Sequence, residues 1–304
     1  MRILLTGCRG QVGSAIAQGL HFEAEVHAPD RTALDLANPD QLRRVLNSLS
    51  PELIINTAAY TAVDQAEDEV DACLIINARA PEIMAAYAET TGAGLIHYST
   101  DYVFDGQKRH PYREDDQCHP LNHYGLTKWE GERALAASTA AYFIFRTSWV
   151  YAPYGKNFFR TMVRLMREKT ELKIVDDQHG APTSALDLAE WTIQIIRRIQ
   201  TNGLKWMREH AGIYNMTNGG ETTWHGFASA IQSHLRQAGI APLAKLIPIS
   251  AEQYPTRATR PAYSVLDNRK LQATFGLSLP SWSEGLQEVW RHYCKLEKQS
   301  EFNS

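Results

Sequence analysis

The pair of residues in this sequence whose types and spacing most directly imply chemistry is Tyr124 and Lys128, in the run Tyr124-Gly125-Leu126-Thr127-Lys128. At the start of a helix, residues four apart project on one face, which brings a phenol beside an ammonium. A phenol ordinarily keeps its proton to near pH 10, and a neighbouring ammonium favours its anion. Lys128 would thus tune Tyr124 for proton transfer while also donating to a nearby ribose. Upstream, Ser99-Thr100-Asp101 follows the apolar run Leu95 to Tyr98. A hydroxyl at the carboxyl end of a strand can polarise a carbonyl as negative charge develops there, and Thr100 is the donor expected alongside Tyr124. The trio suits reduction of a carbonyl by a bound hydride donor. Y-x-x-x-K by itself is common and would ordinarily be an exposed helical pair, so the reading depends on what else the chain carries.

What it carries is a glycine-rich loop, Gly7-Cys8-Arg9-Gly10-Gln11-Val12-Gly13, between the apolar run Ile3 to Leu5 and a helical stretch. Glycines there permit a tight turn, a close approach of backbone to a pyrophosphate, and close packing of helix on strand, while the helix amino end faces the anion. Gly7, Gly10, Gln11, Val12 and Gly13 are therefore expected against a dinucleotide. An acid about 20 residues beyond such a loop holds the adenosine ribose, and Asp30 stands in that place. Arg31 beside it could hold a 2'-phosphate, so NADPH and NADH both stay open. Asp35 and Leu36 are expected near the adenine, and Ala58, Ala59 and Tyr60, after the run Leu53 to Asn56, where the cofactor passes close to backbone.

Short apolar runs alternate with longer amphipathic stretches through the first half, which is the pattern of parallel strands and crossover helices. The expected fold is α/β, a Rossmann-type doubly wound parallel sheet with a smaller, mixed α/β substrate-binding domain. Strands are expected at 3–5, 25–28, 53–56, 95–98 and 142–145, and helices at 11–20, 40–49, 81–91 and 128–137. Beyond Trp149 the pattern loosens. A strand at 172–175 and a helix at 184–199 are assigned back to the first sheet, giving a dinucleotide-binding domain of residues 1–148 plus 172–200 and a substrate-binding domain of 149–171 plus 201–304.

With 31 basic and 34 acidic residues interspersed, the chain lacks the basic face that phosphate-backbone binding needs, so nucleic acid is not an expected partner. No apolar run approaches a membrane span, and the amino-terminal one is too short for a signal peptide. Four scattered cysteines without a C-x-x-C pair fit reduced thiols and a cytoplasmic protein. His110, Cys118, His119 and His123 lack zinc-site spacing because Pro120 interrupts them, so no metal site is expected. Arg160, Arg164 and Arg167 read as a solvated helical stripe.

Together these segments resemble the dTDP-4-dehydrorhamnose reductase family of extended short-chain dehydrogenases. The resemblance rests on GQVG (10–13), HYSTDYVFDG (97–106), YGLTKWEGE (124–132), FRTSWVYAPYGKNF (145–158), DDQHGAPT (176–183), YPTRATRP (254–261) and SVLD (264–267), which span nearly the whole length. It implies reduction of the C4 ketone of a dTDP-linked 4-keto-6-deoxysugar by NADPH or NADH, Tyr124 giving the proton and Thr100 and Lys128 assisting. It places Thr100, Asp101, Tyr124 and Trp149 at the sugar. Arg260, in its Arg-Pro motif, is expected by charge at the diphosphate. The resemblance also brings Mg2+, held by carboxylates at a helical dimer interface, one of them early in the first helix. Ala15 stands in that place, so a metal-linked dimer is not expected, and a homodimer of another kind stays open. Nucleotide-sugar dehydratases share the loop and Y-x-x-x-K but carry Asp-Glu after the threonine, whereas Tyr102 follows Thr100-Asp101 here, which favours reduction. A related keto sugar, or a non-catalytic NADP-binding subunit, are the other readings.

Overall fold

The computed structural model describes residues 1–20 and 24–302, with side chains through residue 299. The chain opens with β1 (Arg2–Thr6), α1 (Gln11–Leu20), β2 (Glu25–His27), α2 (Pro39–Leu49) and β3 (Leu53–Asn56). α3 (Val70–Leu74) then runs through one widened turn, Ile75–Arg79, into α4 (Ala80–Thr91). β4 (Gly94–Thr100), α5 (His123–Ala136) and β5 (Ala141–Thr147) follow. β1, β3 and β4 are buried on both faces, which is why they read as continuous apolar runs without alternation.

The second half contributes β6 (Val150–Tyr151), α6 (Phe158–Glu168), β7 (Glu171–Val175), β8 (His179–Gly180), β9 (Thr183–Ser184), α7 (Ala185–Glu209) and β10 (Gly212–Asn215). β11 (Thr222–Thr223), α8 (Trp224–Gln237), β12 (Lys245–Ile249), α9 (Arg269–Phe275) and α10 (Trp282–Phe302) complete it.

Six parallel strands form the main sheet in the order β10-β5-β4-β3-β1-β2. One face packs on α1, α7 and α9 through Ile16, Leu188, Ile196, Leu271 and Phe275; the other packs on α2 and α4 through Leu42, Leu46, Met84 and Ala88. The chain winds outward both ways from between β1 and β3. At that switch point successive crossovers diverge and leave a crevice beyond the strands' carboxyl ends. A separate core of Tyr151, Phe159, Phe227, Ile231, Leu286 and Val289 joins α6, α8 and α10.

Two expected placements are corrected. The strand at 172–175 was assigned to the main sheet, yet β7 pairs only with β12, in parallel, as a sheet of two. Its Glu171 and Lys173 are exposed and only its far end is buried, a pattern incompatible with a sheet covered on both faces. Conversely β10, assigned with 201–304 to the substrate side, is the edge strand beside β5. The chain reaches that edge because α7, expected to end at Ile199, continues to Glu209 across a kink at Gly203. The helix at 70–79 was not anticipated.

Candidate active site

The glycine loop lies in the crevice at the switch point. Gly7 turns at φ 75°, in the left-handed region, and its carbonyl accepts from Gly10 N at 2.8 Å. A Cβ on Gly13 would stand 2.2 Å from the Gly7 carbonyl, so only glycine lets the first turn of α1 lie against β1. α1 thus begins with its free amide groups facing the crevice. The Val12 side chain packs into the core, leaving its backbone to face a ligand. Gln11 bridges to the second half: its Oε1 accepts from Asn157 Nδ2 at 2.8 Å, and its carbonyl from the Tyr154 hydroxyl at 3.0 Å.

A cavity of about 200 Å³ extends from this loop past Asp30 to Leu36 and Ala58. Gly7, Gly10, Asp30, Arg31, Asp35, Leu36, Ala58 and Ala59 all line it. Asp30 is engaged within the protein. Its carboxylate accepts from Thr32 N at 3.0 Å and Ala33 N at 3.3 Å, capping its own turn, and pairs with Arg9. The hydroxyl of Thr32 and those amides hold its proton affinity below the ordinary carboxylate value. Arg31 leans on Asp35 at 3.6 Å. Tyr60 is not among the cavity's lining residues; its amide and carbonyl are both taken by Asn77, and its hydroxyl by Glu69. What Tyr60 can offer is its ring.

Asn122 caps α5, its side chain accepting from Gly125 N at 2.8 Å, so the helix starts at His123 and carries Tyr124 in its first turn. The close approach of this turn to the Tyr102 carbonyl leaves 2.1 Å for a Cβ at position 125. Tyr124 therefore comes directly over the end of β4. The Thr100 hydroxyl is its hydrogen-bond partner, and Tyr102 meets it edge-on at 5.6 Å. Burial and the Asp101 carboxyl raise Tyr124 well above the usual phenol range. This corrects the expectation that Lys128 lowers it. The Lys128 ammonium is turned to the Tyr98 carbonyl, at 2.5 Å, and to His97 Nε2, at 3.2 Å. Tyr124 is consequently held as an acid, the state a proton donor needs. Burial brings Lys128 itself down to about 8.

On the substrate side, Asp101 is buried. Its Oδ1 accepts from the Thr100 hydroxyl at 3.1 Å and the Ser264 hydroxyl also approaches the carboxyl, while Oδ2 has no hydrogen bond of good geometry among the described residues. Burial raises its proton affinity to about 6. Trp149 follows β5 with a left-handed backbone, φ 47°, and its ring lies face to face on Trp224 at 3.5 Å, with Gly180 close beside its indole nitrogen. Arg260 reaches the same region from the last third of the chain, facing Tyr102. It is clamped by Asp64 through 2.7 and 3.2 Å contacts, so a diphosphate there would meet a charge already paired.

The sequence reading missed Trp224, Asn77 and His97. A histidine inside the apolar run Leu95-Ile96-His97-Tyr98 was a legible signal, because a fully buried polar side chain must be bonded by something specific. Trp224, at the mouth of a helix 75 residues beyond Trp149, gave none. Among the described residues no group of three or more His, Cys, Asp or Glu could hold a metal ion. Ala15 is buried in the sheet's core, and of the four residues weighed for zinc, His123 bonds Glu67 while Cys118 accepts from Arg146.

The family model described as RmlD substrate binding domain matches residues 1–294. A dTDP-4-dehydrorhamnose reductase of Burkholderia thailandensis is 44% identical over 291 residues, covering 93% of this chain and 95% of that one. One of Escherichia coli K12 is 43% identical, covering 95% and 97%. The solved structure of dTDP-4-dehydrorhamnose reductase from Bacillus anthracis in complex with NADP superposes with a TM-score of 0.86 at 36% identity, covering 96% of this chain and 99% of that one. Matching along its length in both sequence and fold, with the glycine loop and the tyrosine–lysine helix set about one crevice, the chain belongs to the RmlD substrate-binding-domain family.

Proposed function

We propose that the protein reduces the C4 ketone of dTDP-4-dehydro-L-rhamnose to dTDP-L-rhamnose, using NADPH or NADH. The observation that carries this is the meeting of the Tyr124 hydroxyl with the buried Thr100 hydroxyl at the sheet's carboxyl edge, in a chain 44% identical to a reductase of that name. The glycine loop fits a dinucleotide, because the space a Cβ would take at Gly7 or Gly13 is already closed by backbone and only the amide-lined face stays open. When bound, the nicotinamide supplies the hydride.

The chain's own residues do the rest. Thr100 and Tyr124 donate to the carbonyl oxygen, and as charge develops there Tyr124 passes its proton to the alkoxide. Lys128 lies one helical turn away to bond the nicotinamide ribose. Asp101 Oδ2, buried and unpartnered, accepts from a sugar hydroxyl, and Trp149, backed by Trp224, forms a flat wall for the ring. Tyr102, where a dehydratase would carry a second acid, leaves no group to expel water. At the other end of the crevice Asp30 is bonded within its own turn, with Arg9 and Arg31 as exposed neighbours, so a 2'-phosphate meets two guanidinium groups. NADPH should be preferred by roughly tenfold in kcat/KM, the worth of one charge-assisted contact. Four free thiols suit a cytoplasmic setting.

The test is turnover of dTDP-4-dehydro-L-rhamnose with each nicotinamide in turn, the product identified by NMR. Formation of dTDP-L-rhamnose is the expected result. Tight NADPH binding without reduction of this or any other 4-keto-6-deoxysugar would make the protein a cofactor-binding subunit instead.

A further inference from the structure

Beneath the candidate site four side chains lie in line across three adjacent strands and one helix. Thr6 Oγ1 stands 2.6 Å from Asn56 Oδ1, Asn56 Nδ2 is 3.0 Å from His97 Nδ1, and His97 Nε2 is 3.2 Å from Lys128 Nζ. Each of the four is at most 2% exposed, so water does not complete their hydrogen bonds. The lysine ends the line and also donates to the Tyr98 carbonyl. The proton donor Tyr124 sits four residues before it.

Hydrogen-bond accounting restricts how this line can be filled. His97 is enclosed and faces a lysine, so it stays neutral and carries one donor nitrogen and one acceptor nitrogen. An ammonium on Lys128 can only donate. Nε2 must then accept, Nδ1–H donates to the Asn56 carbonyl, and the Asn56 NH2 donates to the Thr6 hydroxyl oxygen. A neutral amine on Lys128 has a lone pair to fill. Nε2–H then donates to it, Nδ1 accepts from the Asn56 NH2, and the Thr6 hydroxyl donates to the Asn56 carbonyl. An ammonium facing Nε2–H sets two donors face to face, and a neutral amine that goes on donating to Nε2 leaves its own lone pair unmet, at a cost of about 1–3 kcal/mol for each buried group so left. Both complete arrangements occupy the same volume, since turning the asparagine amide changes no shape.

We propose that Thr6, Asn56 and His97 are a buried switching chain for Lys128, with His97 as the positioning residue that exchanges its proton between ring nitrogens whenever the lysine changes charge. The imidazole keeps one proton throughout: the bond at Nδ1 breaks, one at Nε2 forms, and the proton lost by the ammonium passes to water. The chain thereby gives Lys128 a matched partner at Nε2 in either of its states. Other groups face the lysine but do not offer this. Glu132 approaches from α5 and Cys73 from α3, with Glu132 held by Arg146 of β5 at 2.6 Å. Each of these sets the lysine's proton affinity without changing hydrogen-bond direction. The significance of the chain for reduction rests on the proposed roles of Tyr124 and Lys128, but its existence can be tested without turnover.

The experiment follows the imidazole nitrogens of the wild-type protein, labelled with ¹⁵N in histidine and in the lysine side chain, by NMR from about pH 6 to about pH 10, a range bracketing a depressed lysine. His97 is assigned by comparison with His97→Gln. Nδ1 is expected to pass from protonated to unprotonated and Nε2 the reverse, with the midpoint of the Lys128 titration. A tautomer that stays fixed over the whole range, or an imidazolium at its lower end, overturns the proposal. His97→Gln, which retains a donor and an acceptor on an amide, is expected to keep the sugar KM within about twofold while shifting the alkaline limb of kcat by about one pH unit. An unchanged limb in a variant of wild-type stability also overturns it. Absence of turnover with every keto sugar would remove the reductase reading and leave the NMR titration standing.

Discussion

Tyr124 is held protonated by its surroundings, and its neighbour Asp101 is costly to keep there as a carboxylate. Burial raises that carboxyl from 3.8 to about 6. A group that binds its proton more tightly folded than unfolded contributes stability at acid pH and loses it as pH rises from about 4 through about 6. Asp101→Asn keeps an acceptor for the Thr100 hydroxyl without a buried charge. It is expected to be more stable than wild type at pH 7 by on the order of 2–3 kcal/mol, an advantage that vanishes near pH 4; urea unfolding at the two pH values measures it. The same variant should raise the sugar KM, because an unpartnered carboxylate oxygen is the acceptor that a sugar hydroxyl fills. At this scale the sequence was legible for Thr100, Tyr124 and Lys128, whose spacing states their geometry. It misled on the direction of the Lys128–Tyr124 coupling, because where an ammonium points depends on His97 and the Tyr98 carbonyl, which lie on another element.

Elements place these residues by their ends. β4 and β5 end at the same edge, Thr100 pairing with Thr147 two residues before Trp149. The crossovers that leave β1 and β3 diverge to open the crevice, and α1 starts where the loop allows it. Gly13→Ala sets a methyl group against the Gly7 carbonyl and is expected to weaken NADPH binding at least about tenfold, measured by fluorescence titration, while the sheet itself persists. Strands buried on both faces were legible because their apolar runs are uninterrupted. Helix α3 with its widened turn was not, since Asn77 holds that turn by bonding Tyr60 and Thr127, partners 17 and 50 residues away. β7 was misplaced for a similar reason: a short strand's pattern does not name the strand it pairs with.

Across the whole molecule, the two halves meet over the site through a few polar ties. Asp64, beyond β3, clamps Arg260 and accepts from Ala258 N at 3.1 Å, and Asn122 donates to the Thr259 carbonyl at 2.8 Å. Between them they draw the segment at 258–260 against the mouth of α5. Asp64→Ala is expected to raise the sugar KM by about tenfold and leave NADPH affinity within twofold, since a half-buried ion pair that loses one partner loosens the segment it holds. Steady-state kinetics with each substrate varied separately checks this. No local signal predicts a pair 196 residues apart, and charge alone had assigned Arg260 to a phosphate.

The central claim is that Tyr124 gives the proton that completes reduction, and it is tested most directly by single-turnover oxidation of bound NADPH by dTDP-4-dehydro-L-rhamnose in wild type and Tyr124→Phe. The expected result is a rate at least about a hundredfold lower in the variant, with NADPH affinity within a few-fold of wild type. A Tyr124→Phe enzyme that turns over at nearly the wild-type rate would contradict the account.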